Sequence, residues 1–263
     1  MLEFEDALAR ILTALPSPAG QAIALSDAAG RVVIEKVPAG TCRIAVQAQG
    51  YVPLVLGYER FGPRGFKQFE AELAVPAAIR GQVIDTTGKA IPGVKVATSS
   101  LMAMNGRGYR LPAPPEAVTD PQGRFELSGL PAGYTQIFAH ASGYHFGDIF
   151  TIYDVPTTNI VVRMSGAGNL HIRILDKNGK SLSRFEGNEL HVNVEPKEGS
   201  RVGTWGGGAR VSDDGTVEFK DVPPGEYRVA SRPNPGSSTR RYAPEQIVKV
   251  EPGVTVEVKL VYE

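Results

Sequence analysis

The chain has 263 residues with 28 Lys+Arg against 28 Asp+Glu, so its formal net charge is zero and no global field draws it to nucleic acid or to an anionic membrane. Hydrophobic residues make up 42%, enough for a core, while 30 Gly and 20 Pro make the chain rich in turns but short of low-complexity composition. A single cysteine, Cys42, excludes an intrachain disulfide framework and any zinc site built from several thiolates.

At the N-terminus, Phe4, Leu8, Ile11, Leu12 and Leu15 fall at helical spacing and Pro16 follows as a stop, which predicts one short helix over residues 2–15. Then comes a turn signal, Ser26-Asp27-Ala28-Ala29-Gly30, with Val32 and Ile34 alternating behind it. A second turn, Val37-Pro38-Ala39-Gly40, leads into Cys42, Ile44, Val46 and Ala48 alternating with Arg43 and Gln47, the period of a strand with one buried face. Cys42 therefore points inward. The segment closes on Gly50-Tyr51.

The middle of the chain opens with a hairpin, Ile79 to Lys89, turning at Asp85-Thr86-Thr87-Gly88, and runs through Ile91-Pro92-Gly93-Val94-Lys95-Val96. After an inserted loop, Met102 to Pro112, the earlier signals return: Thr119-Asp120-Pro121-Gln122-Gly123 before Phe125 and Leu127, then Leu130-Pro131-Ala132-Gly133, then Gly143-Tyr144. The last part repeats the opening hairpin as Leu170 to Lys180 with Asp176-Lys177-Asn178-Gly179 at its turn. A loop Gly203–Arg210 follows, then Ser212-Asp213-Asp214-Gly215 before Val217 and Phe219, and Val222-Pro223-Pro224-Gly225 before Tyr227 and Val229. Asp27 and Asp120, Pro38 and Pro131, and Gly50 and Gly143 are each 93 apart, while Gly123 and Gly215, and Gly133 and Gly225, are 92 apart. A period that long predicts a small domain used three times, not a solenoid. The Asp-x-x-Gly and Pro-x-Gly signals suit hairpin connections. The units are expected at 1–76 (helix plus an incomplete sandwich, without the opening hairpin), 77–166 and 167–263. The helix is expected to plug the edge that the missing strands would cover.

The run Ile79–Val96 with Thr119–Tyr144, G-x-V-x-D-x-x-G-x-x-I-P-G-V-x-V and then T-D-x-x-G-x-F-x-L-x-x-L-P-A-G-Y, resembles the carboxypeptidase regulatory-like domain. The resemblance covers the middle unit, the later half of the first, and the third more loosely. It implies a transthyretin-like (prealbumin-like, Ig-like) antiparallel β-sandwich of the carbohydrate-binding-like fold, and so an all-β chain of tandem sandwiches behind the short helix. It also implies a location outside the cytoplasm, although the N-terminus lacks a basic stretch followed by an apolar run and a cleavage site.

A zinc peptidase site needs three protein ligands and an open position for water, yet none of His140, His145, His171 and His191 has Glu three residues on. The motif G-x-S-x-G is absent, and an inward Cys42 is core material. Lys95 and Asn159 stand where related surface-protein sandwiches form a Lys–Asn isopeptide bond, but the strand after Gly133 lacks the expected Glu. No catalytic residue, cofactor or metal ligand is assigned.

The two inserted loops carry what remains. Asn105, Arg107, Tyr109 and Arg110 on the first, and Thr204, Trp205 and Arg210 on the second, are the candidate ligand-binding residues, since aromatic rings stack on sugar faces while Arg, Asn and Thr bond hydroxyls. The expectation is a non-catalytic accessory module that binds carbohydrate or protein at the cell envelope. The alternatives are a purely structural spacer or assembly protein, and an enzyme with an unrecognised site.

Overall fold

The computed structural model describes residues 10–14, 21–24, 39–62, 67–99, 101–104, 107–147, 151–185, 187–198, 205–233 and 244–262. Every regular element among them is a strand. In chain order these are β1 (Arg10–Ala14), β2 (Gln21–Ala24), β3 (Gly40–Gln47), β4 (Leu54–Phe61), β5 (Ala77–Asp85), β6 (Lys95–Thr98), β7 (Leu101–Met104), β8 (Arg107–Arg110), β9 (Glu116–Val118), β10 (Arg124–Leu130) and β11 (Gly133–His140). There follow β12 (Tyr144–His145), β13 (Ile152–Val155), β14 (Thr157–Gly166), β15 (Gly168–Asp176), β16 (Arg184–Phe185), β17 (Asn188–Pro196), β18 (Gly207–Arg210), β19 (Thr216–Val222), β20 (Gly225–Pro233), β21 (Glu245–Val250) and β22 (Thr255–Tyr262).

The chain forms two compact units, one of Met1–Gln82, Pro92–Ala139 and Ile149–Val161, the other of Val83–Ile91, His140–Asp148 and Val162–Glu263. The first holds a sheet in the order β2-β1-β3-β4 and a second in which β11 has β13 on one side and β6 and β7 on the other, with β9 beyond β6 and β8 beyond β7. The second unit holds the sheets β19-β15-β22 and β16-β17-β20-β21, with β18 also on β17. One further sheet has the order β10-β5-β14-β12, and the division passes within its strands β5 and β14.

The same strand order recurs. β2-β1-β3-β4, β8-β7-β11-β13 and β18-β17-β20-β21 are each built around the strand that follows a Pro-containing turn and a glycine. Those glycines, Gly40, Gly133 and Gly225, have φ of 141°, 147° and 159°, a region that side chains with a Cβ avoid. Two residues on, Cys42, Thr135 and Tyr227 are all buried, and two further on so are Ile44, Ile137 and Val229. The alternation read from sequence is thus the real inward set.

The hairpin turns explain themselves locally. At Asp85, Asp120 and Asp176 the backbone N–H donates to the carbonyl four residues on, of Lys89, Arg124 and Lys180, and the glycine N–H donates back to the Asp carbonyl. In each, one carboxylate oxygen accepts two further backbone N–H groups, from Thr87 and Lys89, Gln122 and Arg124, and Asn178 and Lys180, at 2.8–2.9 Å. These carboxylates preorganise the turns before any distant contact forms. Ser212 takes the place of Asp120 in the last region, with its N–H on Thr216 O and Gly215 N–H on Ser212 O. There Asp214 supplies the carboxylate, accepting from the Ser212 and Thr216 hydroxyls.

The short N-terminal helix is corrected where it can be followed. Arg10–Ala14 is a strand, paired antiparallel with β2 on one side and β3 on the other; residues 1–9 and 15 lie outside the described residues. Helical spacing of apolar residues is a local signal, whereas the edge of β3 presents a row of backbone donors and acceptors that only another strand can satisfy. β1 takes beside β3 the place that β7 and β17 take beside β11 and β20, so it is not a stand-in for the missing opening hairpin. The first turn signal, Ser26–Ile34, lies outside the described residues.

Candidate functional site

The inserted loop expected at Met102–Pro112 is a hairpin, β7 and β8, paired from Leu101↔Arg110 to Met104↔Arg107. Alternation along β8 sends Arg110 outward and Tyr109 inward. Tyr109 is 2% exposed and its hydroxyl donates to the Val52 carbonyl at 2.5 Å, 57 residues away. Burial pushes its phenol pKa up. The ring expected as a sugar platform is therefore core, because strand pairing fixes which residues face out. Arg107 belongs to β8, and Asn105 lies outside the described residues.

The second candidate loop is also partly strand. Gly207–Arg210 forms β18, which leaves Trp205 just ahead of the strand; Thr204 lies outside the described residues. The Trp205 ring meets Tyr227 edge-on, centroids 5.3 Å apart at 80°, and packs against the core of Leu170, Leu190, Val194, Tyr227 and Leu260. Tyr227 itself is fully buried, donates to Pro223 O at 2.8 Å, and has its phenol pKa pushed up by that burial. Arg210 is exposed and ion-paired with Glu189 at 2.9 Å. Among the described candidates, Tyr109 is buried, half-buried Trp205 leans on the core around Tyr227, and Arg210 is engaged by Glu189.

The other polar candidates are equally dispersed. Lys95 is exposed and ion-paired with Glu116 at 2.7 Å, the reverse of the buried amine that an isopeptide bond requires. His171 lies opposite Glu257 on neighbouring parallel strands, its Nδ1 2.9 Å from the carboxylate. Half-buried His145 has its pKa pushed down by desolvation, with Asp221 pulling the other way. Among the described residues no group of three His, Cys, Asp or Glu is close enough to hold a metal ion. No helix among them is long and apolar enough to cross a membrane.

A shallow cleft of about 240 Å³ is lined by Asp176, Lys177, Asn178, Leu182, Phe185 and Tyr262. It lies below the ~300–1,000 Å³ of small-molecule sites. Its floor is the tilted Phe185–Tyr262 pair, 4.6 Å between centroids, and its Asp176 carboxylate is occupied by its own turn.

A face that sequence reasoning did not single out lies on the sheet around β11. Tyr134 and Phe138 point outward at 55% and 40% exposure, beside Ile152 on β13 at 64% and Leu101 on β7 at 52%. In register, Tyr134 stands between Asp154 and Ala103, and Gln136 stands opposite Ile152. The signal was present as the alternation Tyr134, Gln136, Phe138 after Gly133, but the same alternation equally describes a core-facing set until the burial of Thr135 and Ile137 is known.

The model of the carboxypeptidase regulatory-like domain family matches residues 78–173, the region whose motifs carry the resemblance. No curated protein gives a match to the chain. Among solved structures, a streptococcal ancillary pilin is similar at 12% identity and a TM-score of 0.36, over 98% of this chain and 92% of that one. GBS52, the minor pilin of Streptococcus agalactiae, is similar at 14% and 0.33 over 71% and 95%, and BcpA, the major pilin subunit of Bacillus cereus, at 12% and 0.29 over 98% and 95%. Superpositions this loose say nothing about function.

Proposed function

We propose that this chain is a non-catalytic β-sandwich module that spaces and joins proteins, built as consecutive units at 1–76, 77–166 and 167–263. The observation that carries the reading is the fate of the candidate aromatics: Tyr109 is buried with its hydroxyl on Val52 O, and Trp205 is laid against Tyr227. A sugar platform at Tyr109 would need that ring face open to solvent, and burial closes it. Among the described candidates, Arg110 and Arg210 face outward, the second already paired with Glu189. The turns, fixed by their own carboxylates, make stiff connections suited to holding surfaces in place.

A glycan array with the full chain tests the choice between joining proteins and binding sugar. Silence across glycans is the expected result. Saturable binding that weakens in Arg110→Ala or Trp205→Ala would restore the carbohydrate reading. A cell-envelope location belongs to the same proposal and follows the family resemblance. Fractionation of expressing cells should recover the chain outside the cytoplasm, and recovery only with cytosolic markers would overturn that part.

A further inference from the structure

We propose that residues 67–75 are a docking edge, to which an extended segment of a partner polypeptide, aliphatic at alternate positions and basic between them, adds as a parallel strand. The proposal rests on the protein-joining role above and names the edge and the chemistry of the partner.

Residues 67–75 carry the pattern of a strand and form none. Phe69, Ala71, Leu73 and Val75 alternate with Gln68, Glu70, Glu72 and Ala74, the period of a strand with one apolar face. They follow β4 and the turn signal Gly62-Pro63-Arg64-Gly65, much as β22 follows β21 and Pro252-Gly253. On β22 the apolar row is Val258, Leu260 and Tyr262, at 1–3% exposure, and on β14 Val162 and Met164 are as deeply buried; Phe69 is 39% exposed and Val75 70%. Cys42, Ile44 and Val46 on β3 are buried, so that sheet has its cover, and what stays open is the apolar row of 67–75 itself. The Ala74 carbonyl accepts the Val52 N–H at 2.8 Å, which anchors the end of the segment.

The two matching strands show what lies beside such a row. β22 runs parallel to β15 from Asn169↔Thr255 to Asp176↔Tyr262, and β14 lies beside β5. Among the described residues no strand stands beside 67–75. β5 and β15 fill their places with buried Ile79 and Val83, and with buried Leu170, Ile172 and Ile174; between these they carry Arg80, and His171 and Arg173. His171 stands opposite Glu257. Along 67–75 the apolar row is interleaved with exposed Glu70 and Glu72, and two carboxylates at alternate positions select basic residues on the strand that pairs with them. Neither β5 nor β15 of a second copy can serve, since each already has a neighbour on both sides. The occupant is therefore a segment outside any sheet, held by backbone bonds and chosen by its alternating side chains.

The probe is a synthetic peptide of the β15 sequence, residues 168–176, which carries both features. Titrated into the full chain to about 1 mM, it should bind with a dissociation constant on the order of 10–100 µM and slow amide hydrogen exchange at 68–75 by about tenfold or more. The His171→Glu/Arg173→Glu peptide should bind about fivefold more weakly or worse. In the chain, Glu70→Pro and Ala71→Pro should keep the thermal midpoint, since they break no strand, and one of them should abolish binding, because neighbouring N–H groups point to opposite sides and proline removes one. If the prolines lower the midpoint, Phe69→Ser/Val75→Ser replaces them and should weaken binding about tenfold. No binding at about 1 mM, binding that survives these substitutions, protection along β4 or β21 instead of 68–75, or amides at 68–75 already protected in the free chain overturns the proposal. A chain that binds neither peptide nor glycan keeps the protein-joining role with another surface. Saturable glycan binding lost in Trp205→Ala overturns that role whether or not the peptide binds.

Discussion

β11 and β20 stand at matching places in two sheets of like strand order, and they differ on the side that faces water. Each begins at a glycine of positive φ, and each buries the second and fourth residues after it, Thr135 and Ile137 in one and Tyr227 and Val229 in the other. Outward, β20 carries Glu226 and Arg228 in cross-strand ion pairs, while β11 carries Tyr134 and Phe138. The inward side is constrained by packing and the outward side is free to be spent on solubility or on contact. Aromatic volume has in effect moved across the strand: inward at Tyr227, outward at Tyr134. The difference separates what makes the fold from what the fold presents.

That separation can be broken by stability measurements. Tyr227→Ala should cost about 3–5 kcal/mol, because it empties a fully buried ring site and removes the surface against which Trp205 packs. Tyr227→Phe keeps the ring and should cost about 1 kcal/mol for the bond to Pro223 O. Tyr134→Ala should change stability by no more than ~0.5 kcal/mol. Urea unfolding followed by circular dichroism gives all three. Similar losses at Tyr134 and Tyr227 would mean that the outward ring is structural, and the comparison would fail.

Sequence made the local chemistry legible and the remote chemistry illegible. Asp-x-x-Gly announced its turns because every bond that fixes them lies within four residues, as at Asp120 and Arg124. Alternation announced the inward set of β3, Cys42 included, because a strand needs no partner to have two faces. Helical spacing misleads at Arg10–Ala14 because the partners that make it a strand lie outside it, on β2 and, some thirty residues on, on β3. Tyr109 looks like a loop aromatic in sequence for the same reason, its acceptor being Val52. Trp205 found Tyr227, twenty-two residues later. The outward apolar face required knowing which three strands lie side by side, since Leu101, Tyr134 and Ile152 belong to separate segments.

Acid offers the finest way to part structure from surface, and it should give the smallest effect. Asp85, Glu126 and Asp214 have carboxyl pKa values held below their ordinary 3.8–4.5, by hydrogen bonds from Thr87, Arg80 and Ser212 respectively, so whatever they contribute is lost only as pH falls through their lowered folded values. His145, which follows β11 in the chain, is lowered by desolvation from an ordinary value of 6.5, against the pull of Asp221. A histidine with a folded-state pKa below its unfolded one binds fewer protons when folded. Its contribution is complete above pH 6.5 and is lost as pH falls through the folded value. Between about pH 6.5 and 5 the three carboxylates stay charged, and comparison with His145→Gln isolates this imidazole from the other histidines. Across it the wild type should lose stability more steeply than His145→Gln, while Phe138→Ser on the outward face should leave the slope as it is. Equal slopes in wild type and His145→Gln would show that the ring is solvated in the folded state, and a slope altered by Phe138→Ser would show that the outward face is coupled to the buried side after all.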